Sequence, residues 1–194
     1  MVANDFERDA NVLIAKVDAE AANAKATAND QGVSSYPTIK YFPAGSTVGQ
    51  LYEGGRNEWD LVTWMNEKAG TYRMAGGELN VTAGTVEVLD KIVGAGKLAA
   101  AGSAIADLVA LVKKEVAGIT DKAQATFAAY YVRALEKASK KEGYVQKEMD
   151  RLWGILNKGG LTGEKRDEIT KKVNVLRVLL EKAPEEAEKV KDEL

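Results

Sequence analysis

The 194-residue chain contains no cysteine and no histidine. Without cysteine there is no disulfide, no thiolate nucleophile and no sulfur ligand for a metal. Without histidine the commonest metal ligand and the easiest acid-base group near neutral pH are gone as well. Long apolar runs are missing too: no window approaches the about 18 apolar residues that a membrane helix needs. The opening "MVANDFERDA" lacks the apolar core of a signal peptide. The chain is therefore expected neither to insert into a membrane nor to carry its own export signal. An excess of either charge is also lacking, because 27 Lys and Arg stand against 29 Asp and Glu for a formal net charge of -2. The basic residues are interleaved with acids, so nothing draws the chain toward nucleic acid. Proline is scarce at three residues, yet one of them, Pro37 in "VSSYPTIKYFPAGS", stands at the mouth of an apolar β-branched run. A residue without an N–H is usually unwelcome there.

What remains is 45% hydrophobic and 29% charged, ordinary for a globular protein and long enough for one large domain or two small ones. The first part has short, strand-like periods. "VLIAKVDA" (12–19) is a compact β-branched run, and "TIKYF" (38–42) alternates, with Ile39 and Tyr41 on one face. Between them an Ala-rich stretch, 20–31, reads as a helix stopped at Gly32. Pro43 and Gly45 make a turn, "VGQLYEGG" (48–55) reads as a returning strand, and Asn57 is placed to cap a helix carrying Trp59, Leu61, Val62 and Met65. The order is β-α-β-β-α. From Ala69 the composition shifts, and "GTYRMAGGELNVTAG" (70–84) has no sustained period and reads as a linker.

Helical spacing follows. Val86, Leu89 and Val93 mark a first helix; Leu98, Ala101, Ile105, Leu108, Val112 and Val116 mark a second, ending at Gly118. A third starts near Asp121, buries Phe127, Tyr131, Leu135 and Ala138, and stops at Gly143. Val145, Met149, Leu152, Trp153 and Leu156 mark a fourth, closed by Gly159 and Gly160. Thr162 caps a fifth with the stripe Ile169, Val173, Leu176 and Leu180, until Pro184 forbids continuation. Five amphipathic helices on short loops imply an antiparallel bundle.

These residues carry resemblances. "GVSSYPTIKYFPAGS" with "YEGGRNEWDLVTWMNEK" resembles the C-terminal half of a thioredoxin-like domain of the protein disulfide isomerase type. "YYVRALEKASKKEGYVQKEMDRLWGIL" (130–156) and "GLTGEKRDEITKKVNVLRVLL" (160–180) resemble the all-helical D domain. That module ends a group of disulfide isomerases and a related non-redox escort protein of the endoplasmic reticulum. The last four residues, Lys191, Asp192, Glu193 and Leu194, form the KDEL tetrapeptide, an address read by a retrieval receptor rather than an anchor; a merely charged tail is the bland alternative. The expected fold is α/β plus all-α. A truncated thioredoxin-like domain (1–69) and a linker (70–84) precede a five-helix D domain (85–182) and an acidic tail (183–194).

The resemblance implies that Pro37 forms a cis peptide bond, which an X-Pro bond makes accessible at a cost of about 0.5–1 kcal/mol; otherwise it simply begins an edge strand. It also implies that the backbone of Tyr36 pairs with an extended substrate, with Tyr36, Pro37 and Thr38 as substrate-binding residues. The family's Cys-x-x-Cys belongs upstream of "VANDFERDA", so the first two strands, the first helix and the active-site turn are expected to be absent. The two strand-like runs would then flank a missing central strand and leave an incomplete sheet.

Two functions follow. In one, the chain is the C-terminal portion of an endoplasmic-reticulum disulfide isomerase, limited to substrate binding; in the other, it is a redox-inactive chaperone or escort protein. The sequence upstream separates them. Phe127, Tyr131 and Trp153 are expected in the bundle core, and Tyr130, expected to face outward, is the better client contact. Asp18 with Glu20, and Glu185 with Glu186, are the nearest acidic clusters, and solvated charge explains both. No catalytic residue, metal site or cofactor is assigned. The expected partners are unfolded or partly folded secretory polypeptides and the KDEL receptor, with a homodimer through leftover apolar surface as a further candidate. The expected location is the lumen of the endoplasmic reticulum, on condition that a signal peptide precedes the chain.

Overall fold

The computed structural model describes residues 2–95 and 103–180. Leu98, Ala101, the 183–194 tail with Pro184, Glu185 and Glu186, and the terminal Lys191, Asp192, Glu193 and Leu194 lie outside the described residues. The chain divides into two compact units, one up to Glu78 and one from Leu79.

The first unit holds α1 (Val2–Asp5), α2 (Lys25–Asp30), a two-stranded antiparallel sheet of β1 (Lys40–Tyr41) and β2 (Gln50–Leu51), and α3 (Glu58–Ala69). Asn57 caps α3, its side chain accepting the Asp60 N–H at 2.9 Å, which satisfies one of the donors that every helix start leaves open. Lys40 sits opposite Leu51 and Tyr41 opposite Gln50. The hairpin meets α3 through Trp64, whose ring packs on Tyr52 at 4.6 Å and edge-on to Tyr41 at 5.8 Å between centroids.

Four expected elements come out differently, the strands expected over 38–42 and 48–55 shortening to β1 and β2. Residues 12–18 form no strand; they run without helix, turn or bend, because no described strand lies beside them to accept their hydrogen bonds. The 20–31 helix shortens to α2. Asp18 explains the loss: its carboxylate accepts the Glu20 N–H at 3.1 Å, a local bond that competes with helix at the start of the stretch.

The 70–84 stretch is not a plain tether, and the division between the units falls inside it. On the first unit's side, Arg73 is buried, pairing in bidentate fashion with Asp9 at 2.7 and 2.9 Å and donating to the Gly77 carbonyl at 3.0 Å. The Asn66 side chain holds Arg73 by both its N–H and its carbonyl. On the second unit's side, Ala83 is fully buried, and the buried Asn174 amide donates to Asn80 and Ala83 carbonyls at 2.9 and 3.0 Å. Gly84 sits at φ +79, where a Cβ would meet Lys171 Cβ at 2.6 Å. A side chain there is excluded both by backbone conformation and by space. Polar composition hid this order, because the stretch is fixed by side-chain hydrogen bonds rather than by an apolar period.

The second unit contains α4 (Glu87–Ala95), α5 (Ser103–Val116), α6 (Lys122–Lys140), α7 (Tyr144–Lys158) and α8 (Gly163–Leu179). The α6 helix packs on α5, α7 and α8, α7 also packs on α8, and α4 packs on α5 and α8. Asp121 caps α6 through the Gln124 N–H at 2.7 Å, and Thr162 caps α8 through the Lys165 N–H at 3.3 Å. The core is one cluster that includes Leu89, Val112, Tyr131, Leu135, Leu152 and Leu176. Fully buried Tyr131 keeps its hydroxyl satisfied by donating to Asp90 and accepting the Val86 N–H at 3.3 Å. Burial pushes the Asp90 carboxyl above its usual range, against the lowering by its hydrogen bonds with Tyr131 and Thr85.

Candidate functional site

The site is built where α2 hands the chain to β1. Two residues past α2 the chain turns at Gly32, at φ +62, and the Val33 N–H returns to the Ala28 carbonyl at 2.9 Å. The Tyr36–Pro37 peptide bond is cis. Thr38, half-buried, donates its hydroxyl to the Ser35 carbonyl at 2.6 Å and so ties the loop across the proline. Tyr36 is 61% exposed, and its ring stands free for an external contact.

Beside this loop lies a groove of about 810 Å³. One wall is formed by residues 15–20, the other by residues 36–40 with Phe42, and Ala28 and Val33 belong to the lining. The Lys40 ammonium donates to the Gln31 carbonyl, which links the start of β1 to the end of α2. Tyr36, Pro37 and Thr38 therefore share one cavity, and the structure adds to them a wall, residues 15–20, that motif reading did not single out. The available signal was the β-branched composition of 12–19, which reads as a strand in need of neighbours.

Tyr130 is not part of this constellation and does not face outward freely. Its ring is half-buried against the helical core, with Arg133 at 5.8 Å and Lys172 at 6.0 Å from its centroid. Its hydroxyl is enclosed without a hydrogen-bond partner among the described residues, and burial first of all pushes its pKa up. Cationic chains from α6 and α8 cover the ring, which explains the difference from expectation. Trp153 departs in the other direction, being 37% exposed. At 3.6 residues per turn it lies about 70° from the centre of the stripe formed by Val145, Met149, Leu152 and Leu156. Phe127 is half-buried, with the Lys171 ammonium 5.3 Å from its ring.

Among the described residues no group of three His, Cys, Asp or Glu side chains gathers as metal ligands, and no helix is long and apolar enough to cross a membrane. The Asp18 carboxylate accepts the Glu20 N–H at 3.1 Å.

Comparison with known proteins agrees with this division of the chain. Residues 1–67 match the thioredoxin family model, and residues 84–179 match the model of the endoplasmic reticulum protein ERp29, C-terminal domain. The protein disulfide-isomerase erp38 of Neurospora crassa is 50% identical over 186 residues, covering 96% of this chain and 50% of the relative. The protein disulfide-isomerase tigA of Aspergillus niger is 46% identical over 193 residues, covering 100% and 50%. Protein disulfide-isomerase 1 of Dictyostelium discoideum is 34% identical over 177 residues, covering 91% and 48%. The chain spans about half the length of these curated relatives. With a thioredoxin-type segment carrying a cis proline and an ERp29-type helical domain behind it, the chain belongs to the protein disulfide-isomerase family, in the group that joins these two domains.

Proposed function

We propose that this chain is the polypeptide-holding portion of a disulfide isomerase of the endoplasmic reticulum lumen and performs no thiol-disulfide exchange by itself. Exchange begins when a thiolate attacks a disulfide sulfur, and these 194 residues contain no cysteine. What they retain is a surface for chain contact. The observation that carries the reading is the exposed Tyr36 ring beside cis Pro37 at the mouth of the groove. An aromatic side chain of this kind offers a large contact area at low conformational cost, and Thr38 holds the loop in place through Ser35.

The names of the matched relatives support disulfide isomerisation as the activity of the longer proteins. The description of the helical domain and the KDEL sequence at Lys191, Asp192, Glu193 and Leu194 support the reticulum lumen. Clients are unfolded or partly folded secretory polypeptides, and the retrieval receptor is a second partner.

An insulin-reduction assay and an aggregation assay test the proposal together. The 194-residue chain is expected to reduce insulin no faster than buffer, yet to slow aggregation of a reduced, unfolded substrate. Tyr36→Ala is expected to weaken that protection by about tenfold in the amount of protein required, the loss of one well-placed aromatic contact. Reduction clearly above buffer overturns the first half of the proposal, and protection untouched by Tyr36→Ala overturns the second.

A further inference from the structure

The stretch that the second unit fastens to Asn174 contains a tripeptide that polypeptide holding leaves unused, Asn80-Val81-Thr82. Asparagine, then any residue but proline, then serine or threonine is the acceptor pattern for an N-linked glycan. No other asparagine in the chain is followed two residues later by a serine or threonine. The pattern is short, and asparagine in a turn has a plainer use, bonding its own backbone two residues on. Both uses are compatible. What a glycan needs in addition is an amide nitrogen that the fold leaves available.

Asn80 makes its local turn with the side-chain oxygen only. Its Oδ1 accepts the Thr82 N–H at 3.0 Å and the Thr82 hydroxyl at 2.8 Å. A backbone N–H can only donate, so the oxygen of the amide must face Thr82 and the nitrogen must face away. Among the described residues Nδ2 of Asn80 takes part in no hydrogen bond and is not enclosed. Asn174 is the contrast, a buried amide whose Nδ2 is engaged by the Asn80 and Ala83 carbonyls at 2.9 and 3.0 Å. Those two bonds, with the Ala83 N–H donating to the Asn80 carbonyl at 3.2 Å, pin the backbone of the tripeptide inward. Asn80 itself is half-buried and Thr82 is exposed.

We infer that Asn80 is a modification site that receives an N-linked oligosaccharide. The inference goes beyond polypeptide holding and rests only on the lumenal location proposed above, where a glycan donor and its transferase meet an entering chain. The donor is an oligosaccharide carried on a lipid pyrophosphate. In the transfer Nδ2 bonds to the anomeric carbon of the sugar, and the bond from that carbon to the pyrophosphate oxygen breaks. The lipid pyrophosphate leaves with the electron pair, and one proton of Nδ2 passes to a base of the transferase; nothing is oxidised or reduced. The folded second unit accommodates the product, because the sugar replaces one hydrogen of an atom that faces away from Thr82. Both bonds to Oδ1 and both bonds from Asn174 are kept.

The test takes the protein in sealed vesicles prepared from its own cells. It is expected to resist added protease until detergent opens the vesicles, and to migrate faster after an amidase cuts the bond between asparagine and sugar. Peptide mass should then read an aspartate at position 80. That reading comes from the unsubstituted protein, so it stands whether or not a variant folds. Asn80→Gln and Thr82→Val, the second removing only the hydroxyl, are each expected to lose the shift, and Thr82→Ser to keep it. A protected protein that the amidase does not change overturns the site and leaves the lumenal location standing. Digestion without detergent overturns the location and the site with it. A shift that persists in Asn80→Gln or in Thr82→Val overturns the assignment to this tripeptide.

Discussion

The residues up to Glu78 and the residues from Leu79 onward have similar proportions of apolar residues, yet they use them in opposite ways. The second unit gathers nineteen buried side chains of its described residues into one cluster. In the first unit, among the described residues, only Phe6, Ala28 and Val62 are buried apolar residues, while Leu13, Val17, Phe42, Val48, Leu51 and Trp59 are exposed. The contrast teaches that helices and strands tolerate isolation differently. A helix closes its backbone bonds within itself and needs neighbours only for its apolar stripe. A strand must borrow every backbone bond from a neighbour, so a sheet of two short strands has no means of covering its faces. The first unit compensates with polar fastenings, chiefly the buried Arg73 held by Asp9, Asn66 and Gly77.

That comparison can be broken by substitutions aimed at each kind of fastening. Leu135→Ala, in the centre of α6 and fully buried, is expected to cost the second unit about 2–5 kcal/mol by leaving a cavity. Denaturant unfolding followed by helical circular dichroism checks it; a loss below 1 kcal/mol, roughly a surface substitution's effect, would contradict a tightly packed bundle. Asp9→Ala comes next, at about 1–3 kcal/mol, because it strands a buried guanidinium without its carboxylate. Its effect should appear as faster amide exchange in α3 and around Arg73, with exchange in α6 to α8 unchanged. Equal acceleration in both units would show that they do not behave as two cores.

The smallest effect is electrostatic. Lys165, then Lys172, hold the Glu168 carboxyl on α8 down to about 2, below the usual glutamate value of about 4.3. A carboxyl lowered in the folded state adds stability above its unfolded value and loses it as pH falls through the folded one. The second unit's melting temperature should therefore decline between about pH 5 and pH 2, and Glu168→Gln should flatten part of the decline. The pair is exposed, so about 1 M salt should shrink the difference; an unchanged slope in the variant would remove Glu168 from the account.

Much of the helical half was legible because its signals are local. The stripes of α6 to α8, the caps Asp121 and Thr162 and the glycine stops all act within a few residues. Tyr130 and Trp153 were misplaced for a complementary reason. Both lie at the margin of a stripe, where the neighbouring helix decides exposure, and Lys172 reaching across from α8 covers Tyr130. The loop of Tyr36 and Pro37 was visible as a motif, but the groove was not, since its other wall comes from about twenty residues earlier in the chain.

The sequence alone determined the helix periods, the caps and the lack of any sulfur nucleophile, because each depends on residue identity over one or two turns. Only tertiary structure decided which side chains the bundle hides, that Arg73 and Asn174 turn a polar stretch into fixed structure, and that residues 15–20 line one groove with Tyr36, Pro37 and Thr38. Those outcomes depend on residues distant in sequence coming together, and no local pattern records which partner a strand or a buried polar group will find.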